Sequence, residues 1–421
     1  MPVFIIIVSV VILISVNYIL IVKKLTEGFN KLHNSKTGKE ETGALKQPAI
    51  GMADEAIVKK VVDKKMISII IAARNEERNI GTCIESLQKQ DYPKELFEVI
   101  VVNDQSEDAT SGIIESYEQL NLIDIKQLIT LGEGGKKAAI SLGVSKAKGD
   151  FILITDADCL VPPTWISEFN RCFNETEALF ITGPVMLKPE TGFFNKFQCL
   201  EFNSLIASTA GYIGINKPVM CNGANMGYSV STYQELLCAK SDKPEQADIL
   251  RSNITSGDDV FLMLSMKRKF GAESITFLNS ASAIVFTHTQ PDIKHFIAQR
   301  IRWVSKSNGY RDHDVIVSAI SIYSFNLICF LLIPATLVLP FFKTTGNLVY
   351  TLAIFLLTGL LLIAKTTVDY MLLAAYSKVY GQKQLLKFLP VFEFIVIAYT
   401  TMIGALGGFM PFKWKGRLFR K

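Results

Sequence analysis

The chain has 421 residues, of which 49% are hydrophobic and 20% are charged, and its mean hydropathy is +0.29. A soluble protein normally has about a quarter charged residues. This composition therefore excludes a disordered chain, a collagen-like repeat and a small disulfide scaffold. The 44 Lys and Arg and 39 Asp and Glu residues also exclude a chain embedded in a membrane throughout, because these charges require water. We expect a sizeable soluble domain attached to hydrophobic spans.

The first hydrophobic stretch covers residues 3–22 and is uncharged, with a single Asn17. It is long enough to cross the roughly 30 Å core of a bilayer. No basic stretch precedes it and no small-residue cleavage site follows it, so we predict a retained transmembrane anchor over residues 1–24. Lysines follow at once, beginning at Lys23, which predicts that the downstream side faces the cytoplasm.

The central part of the chain has ordinary polar composition. Residues 25–64 lack a sustained apolar period, which predicts that they form a polar linker or a loose membrane-surface helix. Residues 65–312 suit one large cytoplasmic α/β domain. The seven cysteines form no CxxC pair, which argues against a disulfide framework or a zinc site and fits a reducing cytoplasm. No dense basic stripe is present, so nucleic acid is not an expected partner.

Three short apolar runs rich in β-branched residues alternate with helical patterns, which predicts a doubly wound α/β fold with a mostly parallel sheet. In such sheets ligands bind outside the carboxyl ends of the strands. Aspartates follow two of these strands, Asp104 after the second and Asp156 with Asp158 after the third. The predicted strands cover residues 66–72, 97–102 and 151–155, and a helix is predicted over residues 75–90.

Asp156 and Asp158 are two residues apart at a strand end, so their carboxylates can be presented together. Mg²⁺ and Mn²⁺ prefer oxygen ligands and share their remaining positions with phosphates and water. The alternative is a solvated turn with two exposed aspartates, since a DxD pattern alone is common. The buried strand directly before it favours the metal site.

A glycine-rich segment, GEGGKKAA at residues 132–139, opens a predicted helix that begins near Lys136. Glycines let backbone amides approach an anion, and a helix N-terminus with a lysine favours negative charge. The order of residues differs from that of a Walker A loop. The alternative is a flexible loop with solvated lysines.

Asp258 and Asp259 precede another helical pattern. Aspartate is common in a first helical turn, so helix capping is one interpretation. The functional alternative is a general base held near a hydroxyl nucleophile. Spacing alone does not separate the two.

Gln299, Arg302 and Trp303 are spaced i, i+3 and i+4, which places them on one helical face. Arg can bind a diphosphate through two hydrogen bonds, and Trp offers a flat surface to a sugar ring. The alternative is a membrane-interface belt, in which both residue types are enriched.

Residues 313–412 are predicted to form a C-terminal membrane region of about three spans, followed by a basic tail at residues 413–421. Three crossings would leave this tail outside, against the charge rule. One stretch could be re-entrant or interfacial, or residues 366–380, which contain Asp369, could complete a fourth pass. The predicted spans are residues 315–342, 347–364 and 388–412.

The chain resembles the membrane-bound glycosyltransferases of family 2, which have the GT-A fold, over residues 68–303. This family groups cellulose, hyaluronan and poly-N-acetylglucosamine synthases with ceramide glucosyltransferase-like enzymes. One N-terminal span, a cytoplasmic domain and a few C-terminal spans resemble the last group most. The matching segments, in order, are SIIIAARNE, VVNDQSED, GGKKAA, DADC, CNGANM, SGDD and QRIRW.

The resemblance implies a nucleotide-sugar site. Lys136 would lie near the phosphates of the donor. Asp156 and Asp158 would flank the diphosphate, with Asp158 binding Mg²⁺ or Mn²⁺. The residues that would hold the base and ribose are Ala73, Arg74, Glu76 and Asp104.

The resemblance also implies the residues of transfer. Asp259, next to Asp258, would deprotonate the acceptor. Arg302 would steady the departing diphosphate, and Trp303 would stack on a sugar. The other residues expected on the diphosphate and acceptor side are Gln299, Cys221, Asn222 and Gly223.

The expected reaction is an inverting, metal-dependent transfer of a sugar from a nucleotide sugar, expected to be UDP-linked, to a lipid or glycan acceptor at the membrane. The chain is expected in the cell (inner) membrane with its catalytic domain in the cytoplasm. A processive polysaccharide synthase is one alternative, but few spans precede and follow the domain, which favours transfer of a single sugar to a lipid. A non-catalytic membrane protein that retains the fold is the other alternative.

Overall fold

The chain divides into two units, one built on a sheet and one on helices. The sheet unit consists of Gly28–Met186 and Cys221–Thr287, and the helical unit consists of Met1–Glu27, Leu187–Met220 and His288–Lys421. This grouping divides the segment 65–312 that was predicted as one domain, because part of that segment packs with the apolar helices. The computed structural model describes residues 2–44, 63–117, 121–124, 135–238, 258–341, 347–407, 410, 412–414 and 417–419.

The elements of the described residues alternate through most of the chain, as the sequence predicts. The strands are β1 (Ile67–Ala73), β2 (Phe97–Asn103), β3 (Asn121–Asp124), β4 (Phe151–Ile154), β5 (Phe180–Thr182), β6 (Val185–Leu187), β7 (Met226–Ser229), β8 (Ile275–Phe277), β9 (Val285–Thr287), β10 (Phe412–Trp414) and β11 (Arg417–Phe419). The α-helices are α1 (Pro2–Ala44), α2 (Ile80–Gln88), α3 (Thr110–Glu115), α4 (Lys136–Lys146), α5 (Trp165–Glu175), α6 (Phe193–Gly214), α7 (Val230–Cys238), α8 (Asp258–Phe270), α9 (Ile293–Val304), α10 (His313–Val338), α11 (Asn347–Tyr380) and α12 (Leu389–Leu406).

A seven-stranded sheet forms the centre of the sheet unit, in the order β3-β2-β1-β4-β7-β5-β8. All neighbouring strands are parallel except at β7, which runs antiparallel to β4 and β5. The isoleucines of β1 are fully buried because helices cover both faces of a parallel sheet, which is why this strand is a continuous apolar run. The structure confirms the predicted α/β fold with a mostly parallel sheet.

The strand bounds agree with the predicted runs to within a residue at each end. The first helix differs, because α2 begins at Ile80 rather than near residue 75. Asn75 has a φ of 51°, in the left-handed region, so a right-handed helix cannot include it. The residues between β1 and α2 instead form a loop at the strand end.

The strand register brings several loops to one edge of the sheet. Ala73 lies opposite Asn103, so β1 and β2 end together. Ile154 ends β4 opposite Met226, which begins the antiparallel strand β7. The segment after β4 and the segment before β7 therefore lie side by side, at the edge where β1 and β2 also end. We refer to this as the carboxyl edge.

The described residues include four helices long and apolar enough to cross a membrane. The third is continuous to Tyr380, so the predicted span 347–364 and the possible extra pass 366–380 form one helix rather than two. Helix α1 extends to Ala44, past the predicted anchor and through part of the predicted linker, whose residues 45–62 lie outside the described chain. The four helices are Ile5–Asn34, His313–Val338, Leu348–Tyr380 and Lys383–Leu406.

Polar side chains connect three of these helices inside the helical unit. Lys365 Nζ lies 2.7 Å from Asp369 Oδ2 and 2.5 Å from Glu393 Oε2. The Tyr18 hydroxyl donates to Asp369 Oδ1 at 2.7 Å. Lys365 and Glu393 are buried, so their charges are compensated by each other and by Asp369. We refer to these four residues as the polar cluster.

Candidate functional site

Arg74 follows β1 and is 8% exposed. Its Nη1 donates to the carbonyl oxygens of Asp104 at 2.7 Å and Gln105 at 2.9 Å, and its Nη2 lies 3.3 Å from Glu107 Oε1. These carbonyls belong to the segment after β2. The guanidinium therefore ties together the loops that follow two neighbouring strands at the carboxyl edge.

The other residues predicted for base and ribose lie in the same two loops. Asp104 is buried, and its N–H donates to Ala73 O at 2.8 Å. The Glu76 N–H donates to Thr110 Oγ1 at 2.8 Å, and Glu76 Oε2 accepts from Asn79 Nδ2 at 3.0 Å. The structure thus brings all four predicted residues to the carboxyl edge.

Lys136 is the first residue of α4, and its Nζ lies 2.5 Å from Asp156 Oδ1. Gly135, just before it, has a φ of 135°, a conformation that favours glycine. Both side chains of the ion pair are partly exposed, and exposed pairs contribute only about 0–1 kcal/mol. The pair can therefore open at little cost. The glycines at 132 and 134 lie outside the described residues.

Asp158 lies with Asp156 in the turn after β4, as predicted. Asp156, Asp158 and Cys159 form the one group of three metal-ligating residue types found among the described residues, with ligand atoms all within 4.8 Å of one another. Thr287 Oγ1 lies 3.5 Å from Asp158 Oδ2 and orients that carboxylate. The two carboxylates suit a hard cation such as Mg²⁺ or Mn²⁺.

Two thiols lie behind these carboxylates. Burial, followed by the charges of Asp158 and Asp156, raises the pKa of Cys159 well above its usual value. The same causes raise the pKa of Cys83, whose thiol donates to the carbonyl of Asp156 at 3.6 Å. A protonated thiol is a poor metal ligand. The anionic donors that this group offers are therefore the carboxylate oxygens of Asp156 and Asp158.

The segment before β7 is held by a fully buried asparagine, Asn225. Its Oδ1 accepts from Trp165 Nε1 at 2.9 Å. Its Nδ2 donates to the carbonyls of Pro184 at 2.8 Å and Ala283 at 2.9 Å. The backbone carbonyl of Asn225 accepts from Gly183 N at 2.7 Å. One side chain thus joins three segments and fixes the loop that contains residues 221–224.

Asp259 lies in the first turn of α8 and contacts this loop. The Gly223 N–H donates to Asp259 Oδ2 at 3.1 Å, and the Val260 N–H donates to Oδ1 at 2.9 Å. A side chain at position 223 would place its Cβ 3.1 Å from Asp259 Oδ2, so glycine allows this close approach. The carboxylate is thereby held at the carboxyl edge, where β4 ends and β7 begins.

Three further predicted residues adjoin this contact. Asn222 Oδ1 accepts from Ala224 N at 3.0 Å, which closes the turn. Cys221 is partly exposed in the same segment. Asp258 begins α8, and the segment 251–257 before it lies outside the described residues.

Gln299, Arg302 and Trp303 lie on α9 in the helical unit, and all three are partly exposed. Their neighbour Arg300 is 4% exposed and pairs with Glu201 of α6. The Arg300 guanidinium lies 4.1 Å from the centroid of the Trp303 ring. The buried cation of this segment is therefore Arg300 rather than Arg302.

Sequence reasoning did not single out three residues that organise these segments. Asn225 lies in the segment CNGANM. The feature that could have identified it is a side-chain amide directly before a buried strand. Thr287 carries no recognisable signal. Glu201 is the one acidic residue of α6 and lies between apolar neighbours, and a charge in such a position is a signal for a buried partner.

Comparison with known proteins gives a match of residues 68–237 to the family model "Glycosyl transferase family 2". Poly(ribitol-phosphate) beta-N-acetylglucosaminyltransferase TarS of Staphylococcus aureus is 38% identical over 91 residues, which are 22% of this chain and 16% of that protein. Beta-monoglucosyldiacylglycerol synthase of Synechocystis is 32% identical over 97 residues, which are 23% of this chain and 20% of that protein. The alignments thus span a fifth or less of these relatives.

Among solved structures, the mannosyltransferase PcManGT from Pyrobaculum calidifontis, in complex with GDP-Man and Mn²⁺, is 15% identical, with a TM-score of 0.44. The alignment covers 93% of this chain and 98% of that one. A similarity of this size supports no conclusion on activity. The family match covers nearly all of β1 and the whole of β2 and β4 with the residues that follow them, so residues 68–237 of this chain are similar to the family 2 glycosyltransferase domain.

Proposed function

We propose that this protein transfers a single sugar from a nucleotide-sugar donor to a membrane lipid, with inversion at the anomeric carbon. The expected donor is UDP-linked. The observation that carries the proposal is the carboxyl edge. At this edge lie the loops after β1 and β2, the aspartates after β4 and the Asp259 carboxylate, next to strands of one sheet. The family 2 match over residues 68–237 supports this assignment.

On the donor side, the loops joined by Arg74 would hold the base and ribose, and Lys136 would face the phosphates. Asp158 and Asp156 would hold Mg²⁺ or Mn²⁺, which supplies positive charge to stabilise the diphosphate as it leaves. Lys136 would exchange its weak pair with Asp156 for the donor phosphates. The resemblance implies that Arg302 would add charge on the diphosphate side.

On the acceptor side, Asp259 would accept the proton of the attacking hydroxyl. The N–H groups of Gly223 and Val260 hold its two oxygens, which keeps the carboxylate in one orientation. A positioned general base contributes about 10²–10⁴ in rate. The new bond forms between the acceptor oxygen and the anomeric carbon, while the bond from that carbon to the diphosphate breaks.

The four apolar helices support a membrane-associated acceptor. The name of the relative beta-monoglucosyldiacylglycerol synthase supports a lipid. Lys23 and Lys24 after the first apolar stretch favour a catalytic domain in the cytoplasm, at the cell (inner) membrane. A processive synthase is the competing proposal, and the length of the product separates the two.

The test uses full-length protein in lipid nanodiscs with a panel of nucleotide sugars, Mg²⁺ or Mn²⁺ and extracted membrane lipids, and reads products by mass spectrometry. We expect a lipid that gains the mass of one sugar, in wild type but not in Asp259→Asn, with donor binding retained in that variant. Normal turnover by Asp259→Asn would overturn the assignment of the base.

Two other outcomes address the alternatives. Long polymers would replace single transfer by processive synthesis. Failure of every donor to be transferred or hydrolysed in the presence of metal would favour a non-catalytic membrane protein.

A further inference from the structure

The QRIRW segment contains a buried ion pair that the proposed reaction does not use directly. Arg300 Nε donates to Glu201 Oε1 at 3.0 Å, and its Nη2 donates to Glu201 Oε2. Both side chains are about 5% exposed or less. Two parallel hydrogen bonds between a guanidinium and a carboxylate fix the direction of both groups, which a lysine could not do.

The same guanidinium contacts two of the residues implicated in transfer. Its Nη1 donates to Gln299 Oε1, and its central carbon lies 4.1 Å from the centroid of the Trp303 ring. On the preceding turn it lies 4.3 Å from the Phe296 ring. Attraction between a cation and an aromatic face is strongest for Trp. The orientation of Arg300 therefore determines where the indole and the Gln299 amide are held.

Glu201 has a second partner on a membrane helix. The Tyr399 hydroxyl of α12 donates to Glu201 Oε1 at 2.7 Å. The Tyr399 ring packs edge-on against Phe197 of α6 and Phe296 of α9, with centroids 6.0 Å and 5.6 Å apart. The Glu201 carboxylate thus joins α6, α9 and α12 at one point.

A second pair of hydrogen bonds keeps α6 in register with the chain that leads into α9. Gln198 Nε2 donates to Gln290 O at 3.0 Å, and Gln198 Oε1 accepts from Gln290 N at 2.8 Å. Gln198 and Glu201 are three residues apart and lie on the same face of α6. Through Gln198 this face of α6 holds the chain at the start of α9, and through Glu201 it holds the last turns of α9.

A buried ion pair is a costly way to stabilise a fold. The free energy needed to remove two charges from water is larger than that needed to bury an apolar pair of similar size. Replacing a buried ion pair by apolar residues is therefore often neutral or stabilising. A bidentate pair next to two residues of the transfer segment is better explained by the orientation it imposes.

We propose that Glu201 and Tyr399 are positioning residues for sugar transfer, which act through Arg300 to hold Gln299 and Trp303 in the reactive orientation. This inference rests on the proposed function, because it assigns Trp303 and Gln299 to the reaction. It adds that the rate of transfer depends on a contact with membrane helix α12. A displacement of about 1 Å of such a group can lower a rate about 100-fold.

The test compares full-length variants in nanodiscs by transfer rate, by donor dissociation constant and by fluorine NMR of protein labelled with 5-fluorotryptophan. The sequence contains three tryptophans, Trp165, Trp303 and Trp414. Trp303→Phe assigns the resonance of interest, and Trp165, fixed in the sheet unit by Asn225, is the internal control.

For Glu201→Gln we expect a displaced Trp303 resonance, an unmoved Trp165 resonance, an unchanged donor dissociation constant and a transfer rate lower by about 100-fold. Tyr399→Phe removes a single hydroxyl and should lower the transfer rate by roughly 3–10-fold, less than the loss expected for Glu201→Gln. Tyr323→Phe, on α10 and outside this network, is the matched control and should keep the wild-type rate.

A Glu201→Gln variant that fails to fold would be replaced by Glu201→Gln combined with Arg300→Gln, which leaves no buried charge without a partner. This paired variant should also transfer slowly. An unmoved Trp303 resonance or a wild-type rate in the folded variant would overturn the inference. If wild-type protein transfers no sugar, the proposed function fails, and the fluorine spectrum still tests whether Glu201 orients Trp303.

Discussion

Replacing Asn225 by alanine removes three buried side-chain hydrogen bonds, to Trp165, Pro184 and Ala283. Each such bond contributes about 1 kcal/mol, and leaving the buried indole N–H without a partner costs a further ~1–3 kcal/mol. We therefore expect a loss of about 4–6 kcal/mol in the free energy of unfolding. At roughly 2–4 °C per kcal/mol for a unit of this size, Tm should fall by at least about 8 °C.

The assay is thermal unfolding of the purified full-length protein, followed by tryptophan fluorescence. Asn174→Ala is the matched control, because it also removes two hydrogen bonds, to the carbonyls of Asp63 and Asn170, but near the surface where water replaces them. Asn225→Asp keeps the side-chain volume, so a loss there cannot come from a cavity. If Asn225→Ala unfolded within about 2 °C of the control, this account of the loop before β7 would be refuted.

Three further predictions concern the site and the sheet unit. Gly223→Ala should lower the transfer rate about tenfold without changing donor affinity, since its Cβ would displace Asp259, the proposed general base, by a few tenths of an ångström, whereas Gly112→Ala, with open space around its Cβ, should have no effect. EDTA should abolish transfer and added Mg²⁺ or Mn²⁺ restore it, and Asp158→Asn should require more metal for half-maximal rate; full activity in EDTA would contradict the metal site. Burial raises the pKa of Tyr92 to about 12, so the stability that its protonated form contributes is present below about pH 10 and lost as the pH rises toward 12. Tyr92→Phe should flatten the dependence of Tm on pH in that range, and an unchanged slope would contradict it.

The sheet was predictable because a strand buried on both faces leaves a continuous apolar run in the sequence, as in β1 and β4. The position of Asp104, Asp156 and Asp158 at the carboxyl edge followed from the same runs, since parallel strands end together. The antiparallel strand β7 was not predicted. Its four residues are too few to show a period, and its direction is set by pairing with β4 and β5.

Contacts between distant parts of the chain were the least predictable. Glu201 and Arg300 are 99 residues apart, and the sequence around each of them does not indicate which residue it pairs with. The burial of Arg300 was not predicted, because helical spacing shows which residues share a face but not which face is buried. The end of the third apolar helix was likewise hidden, since Lys365 and Asp369 break the apolar run while their charges are compensated inside the helical unit.

The polar cluster has a consequence for how the protein is made. Tyr18 leaves the ribosome 351 residues before its partner Asp369. At about 5–20 residues per second, the interval between the two is roughly 20–70 s. As the proposed first span, this helix would stay in the membrane during that time with its tyrosine satisfied by water, lipid headgroups or the insertion machinery. Completion of the bundle therefore waits for the end of translation, and a ribosome stalled before residue 369 would leave the first helix only loosely held.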